Sequence, residues 1–259
     1  MNLRNQTILI TGGTSGLGYE FARQLLELGN TVLITGRDQA KLDLTKQRLP
    51  QVHTFRSDVS DPAAIAQLYE QVTRQFPALN ILINNAGEMR KLNLNDPALL
   101  SQNITREIDI NLSGPIRMVQ QFLPHLKAQK TSAILNVTSG IALTPFPLSP
   151  VYGATKSGLR SYTKSLRVQL RSTPVKVFEL VAPAAKTPLG DPFAGDVDSK
   201  SMMEPDKLIT KAIQGMQADS WEIYPGLAAV LRVLSRLAPD FLLKQLSKGL
   251  EEAFARTSP

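Results

Sequence analysis

Tyr152 and Lys156 stand four residues apart in "SPVYGATKSGL", residues 149–159. On a helix that spacing puts a phenol and an ammonium on one face, about 5–6 Å apart at Cβ. A free phenol titrates near pH ~10 and is a poor base at neutrality. A cation held nearby favours the phenolate and draws that value down. Such a pair suits proton transfer to or from an oxygen atom. Two helix residues of unrelated duty fit the same spacing, so the surroundings must decide.

Two further stretches carry chemistry. "TGGTSGLG" (11–18) places Gly12, Gly16 and Gly18 between an apolar run and an amphipathic one. Glycines at a strand–helix turn let the backbone approach a pyrophosphate, whose charge the helix N-terminus favours. "TGRD" (35–38) ends the next apolar run. Sites for NAD usually place a carboxylate there, against the ribose hydroxyls. Here Gly36 leaves the place empty and Arg37 follows, a guanidinium suited to a 2′-phosphate. An Arg extended at a strand end is the plainer reading.

These residues need a frame. "TILIT" (7–11), "TVLIT" (31–35), "VHTFRS" (52–57), "NILIN" (80–84), "SAILNVTS" (132–139) and "VKVFELV" (175–181) read as strands, with "WEIYP" (221–225) as a seventh. Helical stretches alternate with them, one ending at Gly29 and one opening on Asp61-Pro62. A long helix is expected over 98–128, with a kink at Pro115. Continuous apolar strands alternating with helices predict an α/β, doubly wound Rossmann-type parallel sheet with helices on both faces. The whole chain, 1–259, reads as a single domain. Within it, 182–204 is expected to be a mobile substrate-side loop, and 226–256 to hold two amphipathic helices separated by Pro239. Ser139 ends a strand and Tyr152 opens a helix, so both face the carboxyl edge of the sheet.

Composition removes other chemistries. Cysteine is absent, which excludes disulfides, thiolate metal sites and cysteine nucleophiles. His53 and His125 have no partner motif, so no metal is expected. The net charge of +7 suits an anionic ligand or surface, but no basic block with interleaved aromatics points to nucleic acid. The start has no sustained apolar run, and nothing reaches about 18 consecutive apolar residues. A cytoplasmic location is expected.

"TGGTSGLG", Asp58-Val59, "NNAG" (84–87), Asn111, Ser139 and Tyr152 with Lys156 follow one another in the order of the short-chain dehydrogenase/reductase family. The resemblance spans roughly residues 5–190, and its opening and "NNAGEMR" are most similar to bacterial DltE-like members. It implies a metal-free oxidoreductase moving a hydride between nicotinamide and a carbonyl/alcohol substrate. Tyr152 would be the acid/base. Lys156 would lower its pKa and bind the nicotinamide ribose, and Ser139 would orient the substrate oxygen. Asn111 would interrupt its helix and hold a water leading to Lys156. For the cofactor, Thr14, Ser15 and Leu17 would line the pyrophosphate turn and Asp58 would accept from the adenine, with Val59 against the ring. Asn85, Ala86 and Gly87 would pass the adenosine ribose, or simply close the fourth strand against the glycine turn. Thr187 would reach the nicotinamide carboxamide. With Arg37, the expected cofactor is NADP(H), NAD(H) being the alternative.

Three features depart from the pattern or extend it. "APAAKT" (182–187) puts Pro183 where the family has Gly. Glu88 stands where related sequences carry an apolar residue, and either faces the pocket mouth or is solvated and paired with Arg90. Arg160, Lys164, Arg167 and Arg171 form a stripe beside Leu159, Tyr162, Leu166 and Leu170. That helix is expected either to meet a symmetry mate in a homodimer or homotetramer or to present a solvated basic face. The helices after 226 are expected to pack on the protein, membrane association being the alternative. A binding protein with little turnover is the competing class.

Overall fold

The structure, a computed structural model, describes residues 1–196 and 201–255. Seven parallel strands form one sheet in the order β3-β2-β1-β4-β5-β6-β7. They are β1 (Thr7–Thr11), β2 (Thr31–Gly36), β3 (His53–Arg56), β4 (Leu79–Asn84), β5 (Ser132–Ser139), β6 (Val175–Ala182) and β7 (Glu222–Ile223). The apolar runs are continuous because both faces are covered. Leu33, Leu9, Leu82, Ile134 and Val177 align across five strands into one core. Their neighbours Ile34, Ile10, Ile83, Leu135 and Phe178 align into the other. Burying each such side chain contributes about 1.5–3 kcal/mol.

Helices α1 (Gly16–Glu27), α2 (Gln39–Arg48) and α3 (Pro62–Gln75) connect the first strands. Asp38 caps α2 by accepting from the Lys41 amide, and Asp61 caps α3 by accepting from Ala63. The chain steps out from β1 to β3, then returns to lay β4 on the other side of β1. The crevice above β1 is therefore the switch point where such sheets bind ligands.

The long helix expected over 98–128 is broken. A 3₁₀ turn (Pro97–Ser101) precedes a short α4 (Arg106–Ile108), which passes through a π turn (Asp109–Ser113) into α5 (Gly114–Ala128). The π turn holds Asn111, four residues before Pro115. The backbone stays helical through Ser113 and Gly114, so the missing N–H of Pro115 leaves the Asn111 carbonyl without its usual donor. After β5, a 3₁₀ turn (Gly140–Ala142) leads to α6 (Pro150–Gln169).

Beyond β6, 182–204 is less bare than its composition implies. It carries a 3₁₀ turn (Pro188–Phe193), with Phe193 buried, and Ala185 pairs with Met203. Residues 197–200 of that stretch lie outside the described ones. Helix α7 (Pro205–Gln217) follows. Three short helices replace the expected two: α8 (Leu227–Leu237), α9 (Pro239–Leu246) and α10 (Leu250–Ala255). Residue 256, the last of the expected helical stretch, lies outside the described residues.

Three of the four cations on the α6 stripe are held in ion pairs, while Arg171 is exposed. Arg160 pairs with buried Glu179 at 2.7 Å and with Glu222 at 3.3 Å. Lys164 and Arg167 lie 3.4 and 3.7 Å from the same Glu222. The apolar side goes inward, with Leu159, Leu166 and Leu170 buried. The cations thus lock α6 to the β7 edge. Their acidic partners come from strands distant in the chain, which helical periodicity cannot show.

Candidate active site

The glycine turn is built by close approach. Gly12 has φ +68°, and a Cβ there would stand 2.8 Å from the Ala86 Cα. A Cβ on Gly18 would lie 2.1 Å from the Gly12 carbonyl oxygen. Gly16 (φ +53°) faces Thr187, whose Cβ lies 3.2 Å from where a Gly16 Cβ would be. The turn after β1 therefore meets the segment after β4 on one side and the loop after β6 on the other. Gly13, not singled out from sequence, is as constrained: its Cβ would meet Ile34 at 2.4 Å.

Thr11, also missed, ties the two strand ends together. Its hydroxyl accepts from the Asn85 and Ala86 amides, each at 3.0 Å. The Asn85 side chain donates to the carbonyls of Thr11 and Gly12 at 3.0 and 3.1 Å. "NNAG" thus has the structural duty set out as one of its two readings. Ser15 stands exposed before α1, and its hydroxyl caps no helix amide. Leu17 packs against the core below.

Gly36 has a local reason to lack a side chain: its Cβ would meet the Thr14 methyl at 3.0 Å. Arg37 is 56 % exposed, and its neighbour Asp38 is spent on capping α2. Asp58 accepts from the Ser60 amide at 2.9 Å and hydroxyl at 2.7 Å. Burial pushes its carboxyl up, but the Ser60 bonds and the Arg37 and Arg106 charges outweigh that and hold it below its ordinary value. Val59 is buried beside Gly114 at the start of α5.

Asn111 bridges two segments. Its side chain accepts from the Glu88 amide at 2.9 Å and donates to the Glu88 carbonyl at 2.8 Å. It also reaches the Thr155 hydroxyl on α6 at 3.3 Å. Glu88 pairs with Arg90 at 3.9 Å but is mostly buried, and its hydrogen bonds come from Arg106, at 2.9 and 3.1 Å. Arg90 also pairs with buried Glu107, at 3.4 Å. Burial pushes the Glu107 carboxyl up against the pull of Arg90.

Tyr152 and Lys156 lie on successive turns of α6, 5 % and 3 % exposed. Lys156 donates to the Val137 carbonyl at 2.9 Å, two residues before Ser139, and its Nζ is 5.5 Å from the Tyr152 ring centroid. Burial lowers the ammonium to about 8. Burial also pushes the Tyr152 phenol above its ordinary value; the Ser139 hydroxyl pulls it down and Glu107 adds to the rise. The expected lowering of the phenol by Lys156 is therefore not found. Both groups have lost their water, and that loss penalises phenolate and ammonium alike.

Beside these residues lies an apolar cluster of Phe146, Leu148, Phe193 and Ala253, with Met89, Ile141 and Phe254 against it. Lys91 pins this wall, lying 2.5 Å from Asp196 and donating to the Ala253 carbonyl at 3.2 Å. Residues from four distant segments make it, so no local pattern announced it.

The turn after β1, the loop ends of β4 and β6, and the pair on α6 define a dinucleotide oxidoreductase site. The short chain dehydrogenase family matches residues 6–197, and this chain belongs to it. It is an NAD(P)-dependent short-chain dehydrogenase/reductase. It is 43% identical over 189 residues to the uncharacterized oxidoreductase DltE of Bacillus subtilis, covering 73% of this chain and 75% of that one. An NADP-dependent 3-hydroxy acid dehydrogenase of Salmonella typhi is 33% identical over 67% of this chain and 70% of its own. A short-chain dehydrogenase from Sphingobium yanoikuyae, solved in complex with NADPH, matches with TM-score 0.77 at 26% identity, over 92% of this chain and 95% of that one.

Proposed function

We propose that the protein reduces an apolar aldehyde or ketone with NADPH, or runs the reverse oxidation, with Tyr152 as acid/base. The observation that carries this is the meeting of Ser139, Tyr152 and Lys156 at the carboxyl edge of β5, beside the glycine turn. The cradle fits a dinucleotide: Gly12 and Gly16 present bare backbone, and the Ser15 hydroxyl caps no helix amide. When bound, the nicotinamide supplies or accepts the hydride. Ser139 holds the carbonyl oxygen by a hydrogen bond. Tyr152, kept protonated by burial, gives its proton to that oxygen. Lys156 holds the ribose hydroxyls and the proton path. The duty of holding a water falls to the Asn111 main chain, because its side-chain amide is taken by Glu88 and Thr155. Asp58 and Val59 receive the adenine, Gly87 passes the ribose, and Thr187 meets the carboxamide. Phe146, Leu148 and Phe193 favour an apolar substrate over a charged one. A panel of aldehydes and ketones assayed with NADPH tests this; no turnover across the panel would favour a binding protein.

NADP(H) preference rests on Arg37, since charge-assisted contacts to a phosphate contribute roughly 1.5–3 kcal/mol. Exposure to water and salt pulls the value to the low end. We expect NADPH to bind about tenfold tighter than NADH. Thr14 packs where a Gly36 side chain would go, so Arg37→Asp is the cleaner reversal. Equal dissociation constants in the wild type, or a preference that survives Arg37→Asp, would remove this assignment.

A specific observation favours membrane-surface association as a second reading. Leu227, Val230, Val233, Leu237, Phe241 and Leu243 are all exposed on α8 and α9, with Arg232, Arg236 and Lys244 among them. Apolar residues flanked by cations suit an anionic lipid surface. No helix among the described residues is long and apolar enough to cross a membrane. Co-sedimentation with vesicles of anionic lipid, lost in Val233→Glu/Leu237→Glu, is the expected result. Equal recovery with neutral vesicles would refute it. Light scattering of the same samples reads assembly. We expect a dimer or tetramer, joined through the outward face of α6 (Ser157, Ser161, Ser165 and Val168) and not the locked stripe. A monomer at high concentration would exclude it.

A further inference from the structure

Glu88 bridges two walls of the dinucleotide crevice. Its Oε2 lies 3.5 Å from Arg37 Nη1, while both its oxygens accept from Arg106 Nε. Arg37 follows β2 and Glu88 follows β4, and these strands flank β1, whose turn forms the cradle. The Arg37–Glu88 contact therefore crosses the space above the carboxyl end of β1. An adenosine half seated at that switch point needs the same space. The contact has to open when cofactor enters.

Two observations show where the charges go. Arg37 and Arg106 both lower the Asp58 carboxyl, so both cations already gather where β3 ends. On the other side, Arg90 Nε is buried and has no hydrogen-bond acceptor among the described residues. It lies 3.9 Å from Glu88 Oε1. The Nη2 of that guanidinium donates to the Ile104 carbonyl at 3.1 Å, while Nε itself faces Glu107 Oε2 at 3.4 Å, beyond a formed hydrogen bond. Moving the Glu88 carboxylate to the ~2.9 Å of a charge-assisted bond with Arg90 satisfies that donor and releases Arg37 and Arg106.

We propose that Glu88 occupies the place of the 2′-phosphate until NADP(H) displaces it, and that Arg106 is the second cation holding that phosphate beside Arg37. The exchange swaps one anion for another, so no unpaired charge is left. Cofactor preference is then set by three residues from three elements, with Glu88 opposing it and Arg37 and Arg106 supporting it. The proposal rests on the NADP(H) reading above.

The test is fluorescence titration of NADPH and NADH on the full chain, for wild type, Glu88→Gln and Arg106→Gln. Glu88→Gln is isosteric and keeps the backbone bonds to Asn111. It should raise the NADPH-to-NADH preference about two- to fivefold, the effect of a half-exposed ion pair. Arg106→Gln should lower the preference by about fivefold, a contact to a charged group in partial water. If that variant does not fold, Arg106→Lys replaces it, with a smaller loss expected because the planar fork is gone. Competition by 2′,5′-ADP, compared with 5′-ADP, should follow the same order without any nicotinamide present. A preference that is unchanged or lower in Glu88→Gln overturns the proposal. So does an Arg106 variant that weakens both cofactors equally. A wild type without preference, indifferent to Arg37→Asp, overturns the cofactor reading itself, which separates the two failures.

Discussion

Tyr152→Phe should lower the rate of carbonyl reduction by about 10²–10⁴-fold, the usual contribution of a positioned acid. NADPH affinity should stay within about twofold, because the change deletes one oxygen and leaves the ring in its buried place. On the proposed mechanism the Ser139 hydroxyl remains to hold the substrate oxygen, so the loss should fall on kcat more than on KM. Stopped-flow or steady-state rates with the best substrate of the carbonyl panel, beside a fluorescence titration, give both numbers. Near-normal turnover would move the proton donor elsewhere, and Ser139 would be the next group to remove.

Lys156→Met should abolish useful turnover and yet stabilise the fold. The ammonium is 3 % exposed, and burial lowers it from 10.5 to about 8. Between those values the unfolded chain binds the proton that the folded chain has lost, so stability climbs with pH across that window. Below pH 8 the full penalty is present, on the order of 3 kcal/mol at ~1.4 kcal/mol per pKa unit. Losing the bond to the Val137 carbonyl gives back about 1 kcal/mol. A net gain of about 1–3 kcal/mol is therefore expected at pH 7, shrinking toward zero by pH 10.5. Denaturant unfolding at pH 7 and pH 10 measures it. The same titration should appear in catalysis. Turnover that needs the ammonium should decline above pH about 8 in the wild type, while Tyr152 is still protonated. A less stable Lys156→Met at pH 7 would mean that its hydrogen bond outweighs its desolvation.

Much of this was readable from the chain because the decisive signals are local. A run such as Ile8–Ile10 announces a strand buried on both faces, and a glycine turn between strand and helix announces a phosphate cradle. The pair Tyr152 and Lys156 is one turn of one helix. What escaped were contacts between elements far apart in sequence. Glu88 lies two residues from Arg90, yet bonds Arg106, because the π turn brings α4 over the segment after β4. The α6 cations looked like an outer stripe until β7 supplied Glu222. The wall over the site takes Met89, Phe146, Phe193 and Ala253 from four segments, none of which signals its partners. The Tyr152 titration was misjudged for a related reason. Spacing shows the neighbouring ammonium but not the burial that both groups share.

The family match ends at residue 197, and every residue assigned to the reaction or to the dinucleotide lies before that point. The apolar wall is completed by Ala253 and Phe254 on α10, reached through the Lys91 pin. The wall therefore draws on both sides of that boundary, with Phe146, Leu148 and Phe193 before it and α10 after it. On the proposed reading, substitutions in α10 should shift substrate choice while leaving the residues of the reaction untouched.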